Sequence, residues 1–177
     1  KGKINNSLFK FDESIKSSFL ENDINNLYLK NSNLNVRYAS DEKNHIYSSG
    51  IYSIDKKSYQ NYDFKNNLFK ENSDINLNFE LVNKLKVDFI NYKKDPNNIA
   101  EIFLNLNTKK NELNLRELRY SENKNLISIE KLRIKKNNII SFKKIKVKTF
   151  DTNDLKNDFT LEFGKKIKIS GNKYDAK

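Results

Sequence analysis

Apolar residues in the stretch from Leu113 to Thr149 follow one pattern three times. Each copy places them at relative positions 0, 2, 5 and 7, and the copies begin at Leu113, Ile127 and Ile140, which are 14 and then 13 residues apart. On a helix these positions scatter around the axis, whereas on a strand positions 0 and 2 share one face, as do 5 and 7. A β-bulge between the two pairs returns all four side chains to one face. Each copy therefore predicts one amphipathic strand of about eight residues.

Short polar joins between the copies predict hairpin turns, because "SENKN" and "KKNN" are rich in Asn and Lys. Strand-like alternation also occurs upstream, twice between Ile75 and Tyr92 and again from Ile99 to Leu106, with "DPNN" at 95–98 as the turn between them. Shorter strands are predicted in "YDFKNNLF", "IYSI" and "NLNVRY". Downstream, alternation over 159–163 and 167–169 predicts two more strands around the turn "FGKK".

Two other local interpretations compete with strands. In the first two copies, the second, third and fourth apolar positions and an Asn three residues later also fit a leucine-rich repeat, but such a repeat needs about 20–29 residues and the copies are shorter. The stretch "ESIKSSFLENDINNLY" spaces its apolar residues nearly as a helix does. This second alternative stays open as one short helix near 13–28.

The combined pattern predicts a mainly β fold: an antiparallel meander of about a dozen amphipathic strands, with at most one short helix, whose apolar face either lines an elongated groove or solenoid or is closed within a core. Residues 1–177 are expected to be a single β-rich segment of a longer protein, with irregular strands over 1–74 and a regular meander over 75–177. A closed β-sandwich or barrel remains the alternative, because apolar positions of period 2 look alike in an open groove and in a closed core.

The composition adds a basic charge to this picture, with 34 Lys and Arg against 23 Asp and Glu and a formal net charge of +11. A basic nucleic-acid-binding β-domain is therefore one alternative function. No specific nucleic acid is expected as a partner, because Arg, which makes bidentate contacts to phosphate and guanine, is scarce. The abundance of Lys and Asn is typical of an AT-rich bacterial genome, and Lys alternates with apolar residues as on a solvated strand face.

No candidate catalytic site emerges from the residue types, so a non-enzyme without a cofactor or metal is expected. The chain has no Cys, which excludes thiolate ligands and disulfides, and its four glycines form no phosphate-binding loop. The one histidine, His45, is predicted to be a surface residue in a polar loop. The acidic pairs at 12–13 and 41–42 are predicted to be solvated in turns rather than paired for acid–base work.

The three repeated strands, together with the run "NDFTLEFGKKIKISGNKYDAK" near the end of the chain, resemble the AsmA-like family of bacterial envelope proteins (TamB/YhdP-type). The stretch "LKVDFINYKKDPNNIAEIFLNL" is similar in style, and the resemblance covers roughly Ile75 to Lys177. The heavy Lys and Asn load departs from the family. The resemblance implies a periplasmic protein, tethered to the inner membrane through a segment outside this chain, whose β-groove conducts phospholipids between the two membranes.

Phospholipid acyl chains would then be the ligand, and inner- and outer-membrane components would be partners through the full-length protein. A closed β-sandwich acting as an interaction or scaffold module of the cell envelope is the alternative function. The apolar positions of the repeats and of the last two strands would line the groove: Leu113, Leu115, Leu118, Tyr120, Ile127, Ile129, Leu132, Ile134, Ile140, Phe142, Ile145, Val147, Phe159, Leu161, Phe163, Ile167 and Ile169. The same residues would form the core of a sandwich.

Overall fold

The computed structural model describes residues 1–15, 19–20, 23–39 and 44–175. Within them the chain forms fourteen β-strands and one short 3₁₀ turn at Asp88–Ile90. The strands are β1 (Gly2–Ile15), β2 (Ile24–Arg37), β3 (Asn44–Ser53), β4 (Gln60–Phe69), β5 (Asn72–Leu81), β6 (Lys86–Val87), β7 (Tyr92–Lys93), β8 (Ala100–Lys109), β9 (Glu112–Glu122), β10 (Asn125–Lys135), β11 (Asn138–Ser141), β12 (Lys144–Asp151), β13 (Asp154–Phe163) and β14 (Ile167–Lys173). No helix in these ranges is long and apolar enough to span a bilayer.

One open antiparallel sheet of 12 strands accounts for all of these strands except β6 and β7. Its order is β1-β2-β3-β4-β5-β8-β9-β10-β12-β13-β14, with β11 paired to β10. Each strand pairs with its sequence neighbour, except where residues 82–99 leave the sheet between β5 and β8. The ends of the sheet, β1 and β14, pair on one side only. The predicted meander is confirmed, and the sheet is not closed on itself.

Two-residue hairpin turns set the register along most of the sheet. They join β4 to β5, β8 to β9, β9 to β10, β10 to β11 and β12 to β13, and the first residue of each has a positive φ. At Lys136 and Asn137 both φ values are positive, 48° and 63°, as a type I′ turn requires. Such turns match the right-handed twist of the flanking strands, so the Asn- and Lys-rich joins form tight hairpins.

The β-bulge predicted inside the repeats is confirmed for the first copy. Between β8 and β9 the register shifts by one residue between Asn105 and Leu106, and Arg116 of β9 is the extra residue. Lys131 lies at the same level of β10, is likewise unpaired and has a left-handed φ of 53°, and the β9–β10 register is the same on both sides of this level. These irregularities lie at the same level in neighbouring strands, and this alignment explains why the spacing recurs along the sequence.

Three local predictions were wrong. The proposed helix near 13–28 is not found in the described residues there: 13–15 belong to β1 and 24–28 begin β2, where pairing with two neighbouring strands outweighs the helical spacing. The polar loop predicted around His45 is part of β3, and the ring of His45 stacks on Tyr47 at 4.5 Å between centroids. The pair at 12–13 lies in β1 rather than in a turn, and the pair at 41–42 lies outside the described residues.

The strand predicted between Ile75 and Tyr92 is divided. β5 ends at Leu81, which pairs with Ala100 at the start of β8, and the second alternating set then forms a small insertion, 82–99. Within it β6 and β7 pair around the 3₁₀ turn, which buries Ile90 completely and leaves Phe89 exposed. The predicted turn at 95–98 is present, closed by a backbone hydrogen bond of 3.2 Å from Asn98 N to Asp95 O.

Candidate functional site

Strand pairing brings sixteen of the seventeen predicted lining residues to one face of the sheet, which we call the groove face. Directly opposite residues of an antiparallel pair share a face, so the register assigns the rows. One predicted row runs through Tyr120, Ile127, Val147 and Phe159, and the next through Leu118, Ile129, Ile145, Leu161 and Ile169. Beyond the bulges follow the pairs Leu115–Leu132 and Leu113–Ile134, while Phe163 pairs with Ile167 and contacts Phe142 at 5.3 Å between ring centroids.

Ile140 is the exception, because the third repeat does not form one strand. It is divided into β11 and β12, and a register shift in the β10–β11 pair places Ile139, not Ile140, opposite Ile134. Ile140 falls at this irregularity, and both isoleucines are exposed. The third copy has nearly the same spacing in sequence as the first two. In the β10–β11 hairpin, however, its strand pairing is shifted by one residue in register.

Sequence reasoning missed that the two rows continue across the N-terminal strands. The first row extends to Ile102 on β8 and Phe79 on β5. The second extends across six further strands through Leu104, Leu77, Phe64, Ser48, Leu34 and Gly2. Alternation of apolar and polar residues in β5 and β8 could have predicted this continuation. In β3 and β4 polar residues also occur on the groove face, so the alternation there is not visible in the sequence. The second row thus crosses every strand of the 12-stranded sheet except β11, with Ser48 its one polar side chain.

Residues 82–99 fold back onto the groove face and cover the first row. Ile90 is 0% exposed, and it packs with Val87 and Tyr92 in a core formed with groove-face residues of the sheet: Leu81, Ala100, Tyr120, Val147 and Phe159. We therefore call the row Phe79, Ile102, Tyr120, Ile127, Val147 and Phe159 the capped row. Val147, at its centre, is 1% exposed.

The second row is not covered in this way, and we call it the open row. Along it, Leu77, Leu104, Leu118 and Ile129 all remain partly exposed, and Ile169 on the edge strand is 73% exposed. Ile145 and Leu161 touch the core from the side and also remain partly exposed. The described residues thus leave a band of apolar side chains accessible along the sheet.

A buried polar cluster holds the insertion against the sheet. Tyr92 donates a short hydrogen bond to the carboxylate of Glu122, and the hydroxyls of Tyr92 and Tyr120 lie 2.6 Å apart. Asn98 and Asn125 donate amide hydrogens to the same carboxylate at 2.9 and 3.0 Å. Burial raises the pKa of Tyr92 and of Tyr120 well above the ordinary tyrosine value, and the hydrogen bond to Glu122 adds to this effect for Tyr92. Its groups are mutually hydrogen-bonded, so the cluster serves as a structural clip.

Three further side chains order the insertion: the acceptors of Lys94 all lie within 82–99, whereas Asn157 and Tyr174 reach it from outside. Lys94 is buried and donates to the carbonyls of Val82, Asp95 and Asn98 at 2.5–3.0 Å. Desolvation lowers the pKa of Lys94, partly opposed by the nearby carboxylates of Glu122 and Asp95. On the other side, Asn157 donates to Ile90 O at 2.8 Å, and Tyr174 donates to Phe89 O at 3.0 Å.

The opposite face of the sheet carries the charges. Arg116 pairs with Asp74 at 2.8 Å, and Arg133 pairs with Glu112 at 3.0 Å. Arg119 stacks over the ring of Phe103 at 5.9 Å. Exposed ion pairs of this kind contribute about 0–1 kcal/mol each to the free energy of folding. Their main effect is therefore to make this face hydrophilic.

Catalytic geometry is not evident at the largest cleft near the insertion, a space of about 980 Å³ between the insertion and the β9–β10 and β12–β13 hairpins. Its lining is polar and rich in Lys, and its one buried carboxylate, Glu122, is engaged in the clip. Within the described ranges no three His, Cys, Asp or Glu side chains are grouped to hold a metal ion.

Comparison with protein-family models, with curated proteins and with solved structures found no match. The function is therefore argued from the groove face itself.

Proposed function

We propose that this chain is a segment of a periplasmic β-groove protein of the AsmA-like type, which shields acyl chains and conducts phospholipids between the inner and outer membranes. In the full-length protein, a segment outside this chain would tether it to the inner membrane. The proposal rests on one observation: the open row crosses the whole sheet and stays accessible along it. Apolar bands of this extent on a soluble surface normally have a partner.

The dimensions of the open row suit an acyl chain. Ten strand-to-strand steps of about 4.8 Å make the row about 50 Å long. Burial of each methylene group contributes about 0.8 kcal/mol, so a chain lying across the strands is held by its length rather than by any single residue. A polar head group can remain in water at the open side. Weak contacts at many equivalent positions favour sliding, because each step exchanges one apolar neighbour for another.

The closed-sandwich alternative would require a second layer over the groove face. The insertion provides such a layer over the capped row, but Leu118 and Ile129 of the open row have none in the described residues. A nucleic-acid partner would have to use the opposite face, where several basic side chains are already paired with carboxylates. The open row therefore supports an apolar ligand best.

Lipid extraction tests the proposal directly. The protein is purified without detergent, extracted with organic solvent and examined for phospholipid by mass spectrometry. Ile129→Asp places a charge in the open row and is expected to abolish bound lipid. Ser128→Asp is the matched control, because Ser128 is the preceding residue of β10 and pairs on the opposite face with Arg119 and Lys146, where a carboxylate is tolerated.

Circular dichroism and thermal unfolding establish that both variants fold. Stoichiometric phospholipid in the parent protein and in Ser128→Asp, together with its loss in folded Ile129→Asp, would support the groove. A folded parent protein that carries no phospholipid and takes none from vesicles would refute the proposal for this segment.

A further inference from the structure

The insertion 82–99 runs beside the open row and not over it. Its buried residues contact the sheet from Leu81 on β5 to Phe159 on β13, which are strands that the open row also crosses. The insertion and the open row are therefore side by side along much of the same stretch of sheet. Of two neighbouring apolar rows on this face, the chain's own Val87 and Ile90 cover one, whereas the other stays partly exposed.

Polar anchors at several points oppose displacement of the insertion. Its second half is held by hydrogen bonds from Tyr92 and Asn98 to the carboxylate of Glu122. Its tip is held from β13 by Asn157, which is 0% exposed and donates to Ile90 O. Removal of the insertion would take these partners from Glu122 and Asn157, and the loss of hydrogen bonds by buried polar groups destabilises the protein. An acyl chain offers no hydrogen bond in exchange.

We infer that residues 82–99 form a fixed side wall, which confines acyl chains to the open row and withholds the capped row from them. This inference rests on the proposed function and deepens it, because it names the element that sets the width of the groove. With the wall in place, the capped row is withheld over these strands and the open row lies beside it. Without the wall, the groove gains one further apolar row, so the insertion limits the number of acyl chains held side by side.

Single cysteines give a clean test, since the natural chain has none. Leu118→Cys reports on the open row and Val147→Cys on the capped row. Each variant is labelled with a water-soluble maleimide, with and without vesicles of dioleoylphosphatidylcholine. We expect lipid to slow labelling of Leu118→Cys several-fold, and to leave the already slow labelling of Val147→Cys unchanged.

The second part of the test removes the wall. Leu81 and Ala100 are register partners, so residues 82–99 can be replaced by an Asn-Gly turn that joins β5 directly to β8. In this background Val147→Cys should label rapidly and should become lipid-protected, and bound phospholipid per protein should rise, because one further apolar row becomes accessible. If the replacement does not fold, Ile90→Asp displaces the tip while it leaves the sheet residues unchanged, and the same changes are expected.

The outcomes separate the two proposals. If lipid protects neither cysteine in any background, the lipid groove itself is refuted and the wall with it. If lipid protects Leu118→Cys but also accelerates labelling of Val147→Cys in the intact chain, the insertion is a plug that lipid displaces, and the fixed wall is refuted while the groove stands. Unchanged lipid stoichiometry after removal of the insertion likewise refutes the wall alone.

Discussion

The difference between the capped and open rows predicts an unusual order of mutational effects, namely that Val147→Ala destabilises the protein more than Ile129→Ala. Val147 is 1% exposed beneath the insertion, and loses two methyl groups. At about 0.8 kcal/mol per carbon this gives about 1.6 kcal/mol, and the cavity left under the insertion adds about 1 kcal/mol, for a total of about 2–3 kcal/mol.

Ile129→Ala removes three carbons and would cost about 2–5 kcal/mol in a closed core. Ile129 stays partly exposed, however, and the surrounding water fills the space that the truncated side chain leaves. We therefore expect a cost of about 1 kcal/mol, since only part of the side chain's apolar area is removed from water on folding. The larger truncation is thus expected to have the smaller effect.

Urea unfolding followed by circular dichroism measures both free energies. With a slope of about 2 kcal/mol per molar urea, the midpoint should fall by about 1 M for Val147→Ala and by about 0.5 M for Ile129→Ala. Ser128→Ala, on the opposite face of β10, should stay within about 0.5 kcal/mol of the parent protein. A cost for Ile129→Ala equal to or above that for Val147→Ala would show that the open row is covered, and would refute the argument for an accessible groove.

Three further predictions follow from local geometry. Gly50→Ala should destabilise the protein by about 1–3 kcal/mol in thermal unfolding, because its new methyl carbon would lie 2.6 Å from the Cα of Ser32, whereas Gly164→Ala, whose nearest such contact is 3.8 Å, should be close to neutral. Glu122→Ala should cost about 2–4 kcal/mol and should speed proteolysis within 82–99, because several buried donors lose their acceptor; unchanged proteolysis would contradict the clip. The unfolding free energy should fall as the pH rises above about 10, because buried tyrosines keep their protons in the folded protein and release them in the unfolded chain. A tyrosinate absorbance titration should show three of the nine tyrosines ionising only with unfolding: Tyr52, Tyr92 and Tyr120.

Much of the sheet follows from short-range pattern. Offsets of 0, 2, 5 and 7 cannot form an apolar stripe on a helix, so Leu113 to Tyr120 and Ile127 to Ile134 had to be strands with a bulge. Joins of Asn and Lys adopt the positive φ values that tight hairpins need, and hairpins place neighbours in sequence beside one another in space. These two constraints determine a meander with one apolar face, and they placed most of the repeated apolar residues on that face.

Where the pattern failed, long-range contacts decided the outcome. Residues 24–28 have near-helical spacing but pair with β1, and Tyr28 also pairs with β3, so that pairing with neighbouring strands outweighs local preference. Ile140 has the spacing of a lining residue, but a register shift against β10 moves it out of the row. A shift of one residue in a strand reverses its faces, and no pattern along one strand reports its partner's register.

The sequence by itself determined that this chain forms amphipathic strands joined by tight hairpins, because alternation and turn chemistry act over a few residues. The tertiary structure alone decided which apolar row is buried and which is accessible. Val87 belongs to an alternating run like that of any other strand, and Ile90 follows this run directly, yet both leave the sheet and cover the capped row. Which row is buried depends on residues distant in sequence, such as Glu122 and Asn157. The sheet places these residues beneath the insertion, and their hydrogen bonds anchor it.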